Sequence, residues 1–377
     1  AFKVGTKLDN YSFNIVTSHT DSPTFKVKEN AEIEVKNKYT QLNTEGYGGM
    51  LCATWLDRPL SIAGRVLVSE GNSIVTKLLN IDRDLLMIPN VAIHMNRAAN
   101  DGFKYNLQVD MLPLLSGGDD RQKDFKQIIA DELGVKKEDI LGHDLYLYNR
   151  MAPSIWGANE EFISAGHLDD LQCGFASLKA LLAGYNDESI DIMACFDNEE
   201  VGSGTKQGAD STLLRDTLIR INNALGKTEE DYHRALASSF MLSADNAHAV
   251  HPNHPEHTDV TNCTYMNEGV VVKSHAGQKY TSDGVSMAVV KSLASGADVP
   301  LQYFANRSDK AGGSTLGNIA MAQASMNAVD IGLPQLAMHS SYETAGIKDT
   351  YYAIALMKAL FDSHIQETST HSLEIKR

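Results

Sequence analysis

Imidazole and carboxylate side chains recur in this sequence at the ends of apolar, strand-like segments. The positions that share this feature are His19, Asp169, the adjacent pair Glu199 and Glu200, Asp245 and His339. Ligands of open α/β sheets bind beyond the carboxyl ends of the strands, so we expect these side chains to converge in one crevice. A single histidine after a strand is more often a structural residue, and two adjacent acids more often form a solvated turn. The whole set, however, has the mixed nitrogen and oxygen chemistry of a metal site.

Hydrolysis by two metal ions needs this inventory of side chains. Zn²⁺ binds imidazole nitrogen and carboxylate oxygen, and a catalytic site keeps one position open for water. Two ions about 3.5–4 Å apart require a bridging carboxylate, then one histidine and one acid each. The residues fit if Asp169 bridges, His19 and Asp245 bind one ion, and Glu200 and His339 bind the other.

Two further carboxylates have expected roles beside these ligands. Glu199 directly precedes a ligand and is predicted to act as the general base. Asp21 follows His19 by two residues and is predicted to accept the second imidazole N–H of His19, which would fix the tautomer of the ring.

Alternating strands and helices are expected to position these residues. The predicted strands span 11–18, 190–196, 239–243, 269–273, 301–304 and 335–338, and the predicted helices span 169–182, 282–293, 316–325 and 351–364. This alternation predicts an α/β fold with a mixed sheet sandwiched by helices.

The segment 22–149 has a different pattern. Short strand-like stretches are broken by glycine, asparagine and charged residues, and only 124–133 has helical spacing. We therefore predict a β-rich domain at 22–149, inserted into a catalytic domain formed by 1–21 and 150–377. The polar stretch 116–126 is predicted to be an exposed, mobile loop.

Length, charge and cysteine content limit the classes of function. The 377 residues are enough for two domains, and a net charge of −15 argues against nucleic acid as a partner. No apolar run reaches about 18 residues, so no membrane partner is predicted. The start of the chain lacks the pattern of a secretory signal, so a cytoplasmic location is expected. The four cysteines contain no CxxC pair and are expected to be free and buried.

Eight motifs together resemble those of the aspartyl aminopeptidase and aminopeptidase I family of binuclear zinc metallopeptidases. They are TSHTDSP, YGGMLCATWLDRPLSIAGRV, IPNVAIHMNR, FISAGHLDDL, FDNEEVGSGTKQGA, SADNAHAVHPN, RSDKAGGSTLG and PQLAMHS. The resemblance extends from near the first residue to about Gly346. It implies a zinc exopeptidase-like fold with a β-rich dimerisation domain, and an enzyme that removes N-terminal residues and favours Asp or Glu.

The same resemblance implies a role for each of the chemistry-bearing residues. His19, Asp169, Glu200, Asp245 and His339 resemble the ligands of two Zn²⁺ per subunit, for which Co²⁺ or Mn²⁺ can substitute, and Glu199 resembles the general base. His248, in SADNAH, resembles a histidine that lies near the reacting carbonyl and could stabilise its oxyanion. A supporting hydrogen bond is an equally good interpretation of His248.

Substrate-binding residues and the assembly are implied with less force. Lys273 matches a lysine that faces the substrate's side-chain carboxylate, although a solvated strand end is an alternative. His94 resembles a residue that reaches into a neighbouring subunit's active site; by sequence alone it is a polar position in a strand. Gly312 and Gly313 are expected to line the pocket or to form a tight turn before a helix. The resemblance also implies a homo-oligomer, a dimer-based dodecamer.

Two departures from the family pattern qualify the prediction. Relatives have a substantial segment before the first zinc histidine, so we expect either that residues are missing from the chain as given or that its numbering has closed over a disordered stretch. Many relatives also have an arginine where Tyr342 stands, which leaves a broad or neutral-residue aminopeptidase as the alternative specificity.

Three other interpretations are less consistent with the sequence. A carboxypeptidase or deacylase on the same scaffold would not share the motifs of the inserted domain. A non-catalytic assembly protein should have lost a ligand or the base, and all are present here. His251, His254 and His257 suggest a third metal site, but Pro252 and Pro255 interrupt them and favour loop surface.

Overall fold

The computed structural model describes residues 1–118, 124–369 and 372–377. These residues form two compact units. The first unit consists of Ala1–Ser22, Ser154–Met338 and Glu343–Arg377, and the second consists of Pro23–Pro153 and His339–Tyr342. The segment His339–Tyr342 therefore groups with the second unit, whereas the sequence assigned it to the catalytic domain.

Twenty strands and seven α-helices are present in the described residues. The strands are β1 (Phe2–Val4), β2 (Ser12–His19), β3 (Thr24–Val35), β4 (Tyr39–Tyr47), β5 (Leu60–Glu70), β6 (Ser73–Asn80), β7 (Leu114–Gly117), β8 (Ile140–Asn149), β9 (Ser154–Trp156), β10 (Phe162–Ala165), β11 (Ser189–Phe196), β12 (Phe240–Ala244), β13 (Ala247–His248), β14 (Val270–Lys273), β15 (Leu301–Phe304), β16 (Asn327–Gly332), β17 (Pro334–Leu336), β18 (Glu343–Gly346), β19 (His364–Ser369) and β20 (Ser372–Lys376). The helices are α1 (Phe125–Leu133), α2 (Leu168–Ala183), α3 (Leu213–Ala224), α4 (Glu229–Ala237), α5 (Gly284–Gly296), α6 (Leu316–Gln323) and α7 (Asp349–Phe361).

A seven-stranded mixed sheet forms the centre of the first unit. Its strand order is β1-β11-β2-β12-β16-β14-β15. The four adjacent strands β11, β2, β12 and β16 are parallel, whereas β1 and β14 run antiparallel to their neighbours β11 and β16. Parallel strands present their carboxyl ends at one edge, and His19 is the last residue of β2. The predicted α/β fold with a mixed sheet is confirmed.

Helices cover both faces of this sheet. One apolar cluster joins α2, α5 and α7 to the strands, and a second joins α3, α4 and α6 to them. Two of the helices begin at capping boxes, Thr228 with Asp231 for α4 and Asp283 with Ser286 for α5, which satisfy backbone N–H groups of the first turn. Every residue of β2 is buried, as expected for a strand in the middle of a sheet that is covered on both faces.

The second unit contains a six-stranded sheet of order β6-β5-β8-β3-β4-β7. All of its strand pairs are antiparallel. Its core contains Trp55 and Phe25, whose rings meet edge to face at 5.4 Å between centroids. Helix α1 is the helix that the sequence predicted at 124–133, and Asp124 caps it by accepting a hydrogen bond from the Gln127 N–H.

Some local predictions were wrong or incomplete. The stretch around Leu86–Ile88, predicted to be strand-like, forms only isolated bridges. Helices α3 and α4, strand β16 and the C-terminal hairpin of β19 and β20 were not predicted. All four cysteines are free, but only Cys173 is buried and Cys195 is exposed. The predicted mobile loop 116–126 includes residues 119–123, which lie outside the described residues.

Within the described ranges, no helix combines the length and the apolar character that crossing a lipid bilayer requires.

Candidate metal centre

His19 is at the centre of a cluster of buried carboxylates. Its Nδ1 lies 3.0 Å from the backbone carbonyl of Asp21 and 3.4 Å from the Asp21 carboxylate. Its Nε2 lies 3.4 Å from Asp169 Oδ1 and 3.7 Å from Asp245 Oδ1. Because Nδ1 can donate its hydrogen to the Asp21 carbonyl, Nε2 is the nitrogen that faces the other candidate ligands. The sequence predicted that the Asp21 carboxylate would fix this tautomer, whereas the nearer acceptor is the Asp21 carbonyl.

Three separate elements bring the first group of predicted ligands together. His19 ends β2, Asp245 directly follows β12, and Asp169 lies in the first turn of α2. The ligand atoms of these three residues all lie within 4.8 Å of one another. The adjacent strands β2 and β12 are parallel, so residues at their ends share one edge of the sheet.

The start of α2 is shaped by contacts of Asp169 and Asp170. Both residues depart from helical backbone angles, and the peptide between them is cis. The Asp169 N–H donates to Glu343 Oε2 at 3.0 Å, and the His19 N–H donates to Asp170 Oδ2 at 3.1 Å. Asp170 and Glu343 therefore hold the backbone of two candidate ligands.

The Glu199–Glu200 pair lies in a short 3₁₀ turn that Asp21 holds. The Glu199 N–H donates to Asp21 Oδ1, and the Glu200 N–H donates to Asp21 Oδ2, each at 3.1 Å. Asn198, before the turn, has φ of 60°, a left-handed conformation that asparagine tolerates better than most residues. His19, Glu199 and Glu200 also have ligand atoms within 4.8 Å of one another. The predicted base and its neighbouring ligand thus reach the same cluster.

Lys273 lies against the cluster and is only 3% exposed. Its ammonium lies 3.2 Å from Asp245 Oδ2 and donates to the Asn246 carbonyl at 2.8 Å. Gly332 permits this arrangement, since a Cβ there would lie 2.2 Å from the Asp245 carbonyl oxygen and 2.9 Å from Lys273 Cε. The predicted substrate-facing role of Lys273 stays a prediction, and the observed partners of its ammonium belong to the protein.

The pKa values of several groups in the cluster are shifted, because carboxylates lie close together where little solvent reaches them. Burial, together with the nearby Asp245 carboxylate, raises the pKa of Glu199 to about 7. Burial also raises the pKa of Asp170 well above its ordinary value. Burial alone would lower the pKa of His19, but hydrogen bonds to Asp169, Asp21 and Asp245 raise it well above its ordinary value.

The donor set fits a metal ion. Among the described residues, six acidic side chains of this cluster surround the imidazole of His19 and the ammonium of Lys273: Asp21, Asp169, Asp170, Glu199, Glu200 and Asp245. Uncompensated carboxylates are costly to bury unless they are paired or coordinate a cation. One imidazole nitrogen with several carboxylate oxygens is a ligand set that Zn²⁺ accepts.

The remaining predicted site residues have different surroundings. His248 is exposed at the end of β13, with its ring 6.0 Å from that of Phe304. Gly312 and Gly313 lie in the irregular segment before α6, where the Gly312 carbonyl accepts from Lys279 at 3.2 Å. In the second unit His94 is exposed in a turn, so the expectation of a strand there was wrong.

His339 also belongs to the second unit. Its Nδ1 lies 2.6 Å from the Gly49 carbonyl, which can accept the hydrogen of that nitrogen. Nε2 is then the nitrogen available to a metal ion, as it is in His19.

Sequence reasoning did not identify Asp170 or Glu343 as residues of this site. Two features of the sequence pointed to a role of these residues in the site. Asp170 is adjacent to the candidate ligand Asp169, and Glu343 follows the candidate ligand His339 by four residues. Neither signal states which backbone group the carboxylate would hold.

Comparison with known proteins gives consistent matches along most of the chain. The sequence profile of the family described as aminopeptidase I zinc metalloprotease (M18) matches residues 1–361. A probable M18 family aminopeptidase 2 from Clostridium acetobutylicum is 49% identical over 358 residues, which cover 93% of this chain and 83% of the relative. A cryo-EM structure of the Ape4 and Nbr1 complex matches with a TM-score of 0.91 at 34% identity, covering 96% of this chain and 74% of that one. The mApe1 dodecamer of S. cerevisiae matches with a TM-score of 0.80 at 27% identity, covering 96% and 82%.

An α/β sheet with a buried imidazole and carboxylate cluster beyond its strand ends defines a metal-dependent hydrolase. The chain belongs to the M18 family of aminopeptidase I zinc metalloproteases. This membership confirms the resemblance that the motifs indicated. It also confirms that the protein is a metalloaminopeptidase, a hydrolase of peptide bonds.

Proposed function

We propose that this enzyme removes single N-terminal residues from peptides through a two-zinc site, with Glu199 as the general base. The observation that carries the proposal is the convergence of His19, Asp169 and Asp245 beyond the parallel strands, with Glu199 in the same cluster. An exopeptidase of this type needs metal ligands and a separate base in one place, and the cluster supplies both.

The proposed ligands divide between two ions. His19 and Asp245 would hold one ion, Glu200 and His339 would hold the other, and Asp169 would be the ligand that the two ions share. The mutual distances among His19, Asp169 and Asp245 support the first assignment. For His339 the support is the MHS motif and the contact of its Nδ1 with the Gly49 carbonyl, which assigns Nε2 as the nitrogen that would bind the ion.

Each protein group then has a defined task. Bound Zn²⁺ supplies Lewis acidity and lowers the pKa of the attacking water. Glu199 accepts the proton of that water and transfers it to the amine of the leaving peptide. Asp21 holds the Glu199 backbone, and His248 is proposed to stabilise the oxyanion that develops on the reacting carbonyl.

We propose a preference for N-terminal Asp or Glu, with Lys273 as the selecting residue. An ammonium group has three N–H donors, and two of those in Lys273 point to Asp245 and the Asn246 carbonyl. The third can be donated to a substrate carboxylate, and we propose that Gly312 and Gly313 contribute to the wall of the same pocket. A broad or neutral preference is the second candidate, because Tyr342 stands where many relatives have an arginine.

The proposed assembly is a homo-oligomer, a dodecamer built from dimers. Support comes from the similarity to the mApe1 dodecamer, and the second unit with His94 is the proposed dimerisation surface. Sedimentation velocity at several protein concentrations tests this proposal. We further propose a cytoplasmic location and peptides as the physiological substrates.

A panel of N-terminal aminoacyl substrates, assayed with and without a chelator, tests the activity. We expect rapid release of Asp and Glu, slower release of Leu and Ala, complete loss on chelation, and recovery on adding Zn²⁺, Co²⁺ or Mn²⁺. Equal rates for all side chains would support the broad alternative. Full activity in protein that elemental analysis shows to be metal-free would contradict the two-zinc proposal.

A further inference from the structure

Three histidines form a column on the surface of the first unit. Residues Pro255–His257 form a short 3₁₀ helix, and His254 is its N-cap. Side chains three residues apart eclipse one another in 3₁₀ geometry, because the helix has three residues per turn. His257 and the N-cap His254 follow this spacing, and His251 continues the column, since successive ring centroids are each 5.4 Å apart. The rings of His254 and His257 are inclined by only 26°.

Glu256 adds a carboxylate to the same surface. Its Oε1 lies 3.1 Å from His254 Nδ1 and 3.9 Å from His257 Nε2. Ligand atoms of His254, Glu256 and His257 all lie within 4.8 Å of one another. A tetrahedral Zn²⁺ site separates its ligand atoms by roughly 3.3 Å, given bonds of about 2.0–2.1 Å. The three side chains are well exposed, so small rotations can close the remaining difference.

The backbone beneath these side chains is held by contacts that leave the imidazoles and the carboxylate exposed. The Arg307 guanidinium donates to the Glu256 carbonyl oxygen and pairs with Asp309 at 2.8 Å. Further along, the Asp259 carboxylate accepts from the backbone N–H groups of Thr261 and Asn262. Because these contacts already fix the backbone, metal binding would cause a smaller loss of conformational entropy.

We propose that His254, Glu256 and His257 bind one divalent transition-metal ion, with water completing the coordination. The site is distinct from the cluster around His19 and shares no residue with it. Two imidazoles and one carboxylate are ligands that suit Zn²⁺, whereas Ca²⁺ and Mg²⁺ bind almost entirely through oxygen. Pro255, one of the two prolines that favoured loop surface in the sequence, is the first residue of the 3₁₀ turn that carries His257, and the side chains are exposed as that interpretation expected.

Titration of Zn²⁺ into protein whose catalytic sites are already loaded with Zn²⁺ tests this site. Isothermal titration calorimetry should give one additional ion per chain for the wild type. The double substitution His254→Asn with His257→Asn should weaken that binding by more than roughly a hundredfold, since even the loss of an outer partner can cost a metal site that much. Hydrolysis by the double variant should stay at the wild-type rate, because neither residue belongs to the catalytic cluster.

His233→Asn is the matched control. His233 forms an exposed pair with Glu229 at 3.8 Å, but the two residues alone provide only two ligands. The control should retain the additional ion. The proposal is overturned if the wild type takes up no additional Zn²⁺, or if the double variant binds it as tightly as the control does.

Discussion

The carboxylate of Asp21 accepts a hydrogen bond at 3.1 Å from the backbone N–H of Glu199, the proposed general base. Its other oxygen accepts from the Glu200 N–H, and its backbone carbonyl faces His19 Nδ1. One residue therefore holds the backbone of the proposed base and of one proposed ligand, Glu200, and the imidazole ring of another, His19. Such outer contacts commonly change metal affinity or activity by 10–100-fold when they are removed.

Asp21→Asn tests this positioning role. The amide retains the volume of the side chain, but only one of its two terminal atoms can accept a hydrogen bond. We expect kcat to fall by about 10–100-fold with little change in KM. Steady-state kinetics with elemental analysis would measure the effect, and Asp9→Asn, at an exposed position of the same unit, is the control. An unchanged kcat would show that the contacts of Asp21 do not position the base.

The division between base and ligand predicts opposite results for two variants. Glu199→Gln should lower kcat by several orders of magnitude while the metal content is retained, because the amide cannot accept a proton from water. Asp169→Ala should instead lose metal, since both proposed ions depend on the bridge. Metal content and kcat should be measured on the same preparations. Loss of metal in Glu199→Gln as severe as in Asp169→Ala would mean that Glu199 is a ligand.

Lys273→Met tests whether this lysine selects the substrate, supports Asp245, or does both. Removing the ammonium leaves the mostly buried Asp245 carboxylate with His19 but without its cationic partner, so kcat/KM should fall on every substrate. An acidic substrate should lose a further ten- to a hundredfold, because a charge-assisted hydrogen bond is worth about 1.5–3 kcal/mol. The kcat/KM ratio of N-terminal Asp to Leu measures the second effect.

The control for this experiment is Lys291→Met. Lys291 lies over the Tyr303 ring at 4.9 Å, much as Lys273 lies over the Tyr280 ring at 5.6 Å. Comparison of the two variants therefore separates the effect of losing the contact with Asp245 from the effect of losing a lysine above an aromatic ring. If Lys273→Met lowers activity on Asp and Leu by the same factor, Lys273 supports Asp245 and does not select the substrate.

Asp191 predicts a pH dependence of stability in the sheet of the first unit. Burial raises the pKa of this carboxyl to about 7, although Ser189 and Asn14 donate hydrogen bonds to it. The folded chain then binds the proton more tightly than the unfolded chain, in which the pKa is about 3.9. The stabilisation is complete below about pH 3.9 and is lost as the pH rises to about 7.

Asp191→Asn should therefore gain stability relative to the wild type as the pH rises from about 4 to 7, by on the order of 1–4 kcal/mol. Urea denaturation at a series of pH values measures the difference. Asp298→Asn is the control, at an exposed left-handed position that asparagine also tolerates. A difference between Asp191→Asn and the wild type that does not vary with pH would contradict the prediction.

The positions of the main strands and of the candidate ligands could be predicted from the sequence. Apolar runs of strand length stop at His19 and just before Asp245, and hydrophobic periodicity is a property of neighbouring residues. The same local signal located helices α2, α5, α6 and α7 to within a few residues of their bounds. Helices α3 and α4 were not predicted, although Leu214, Leu218 and Ile221 of α3 are buried at helical spacing.

What holds the site together depends on residues far apart in the chain, and only the tertiary structure shows it. Asp21 meets Glu199 across 178 positions, and the Asp169 N–H meets Glu343 across 174. The spacing of apolar residues in a strand or helix indicates which face of the element a residue occupies. It does not indicate which distant residue packs against that face. The sequence by itself therefore determined the candidate ligands, the proposed base and the fold class. The tertiary structure decided which residues these side chains contact, for example that the buried Lys273 pairs with Asp245. A buried charge requires a partner, and that partner can lie far away in the chain, where local sequence patterns do not identify it.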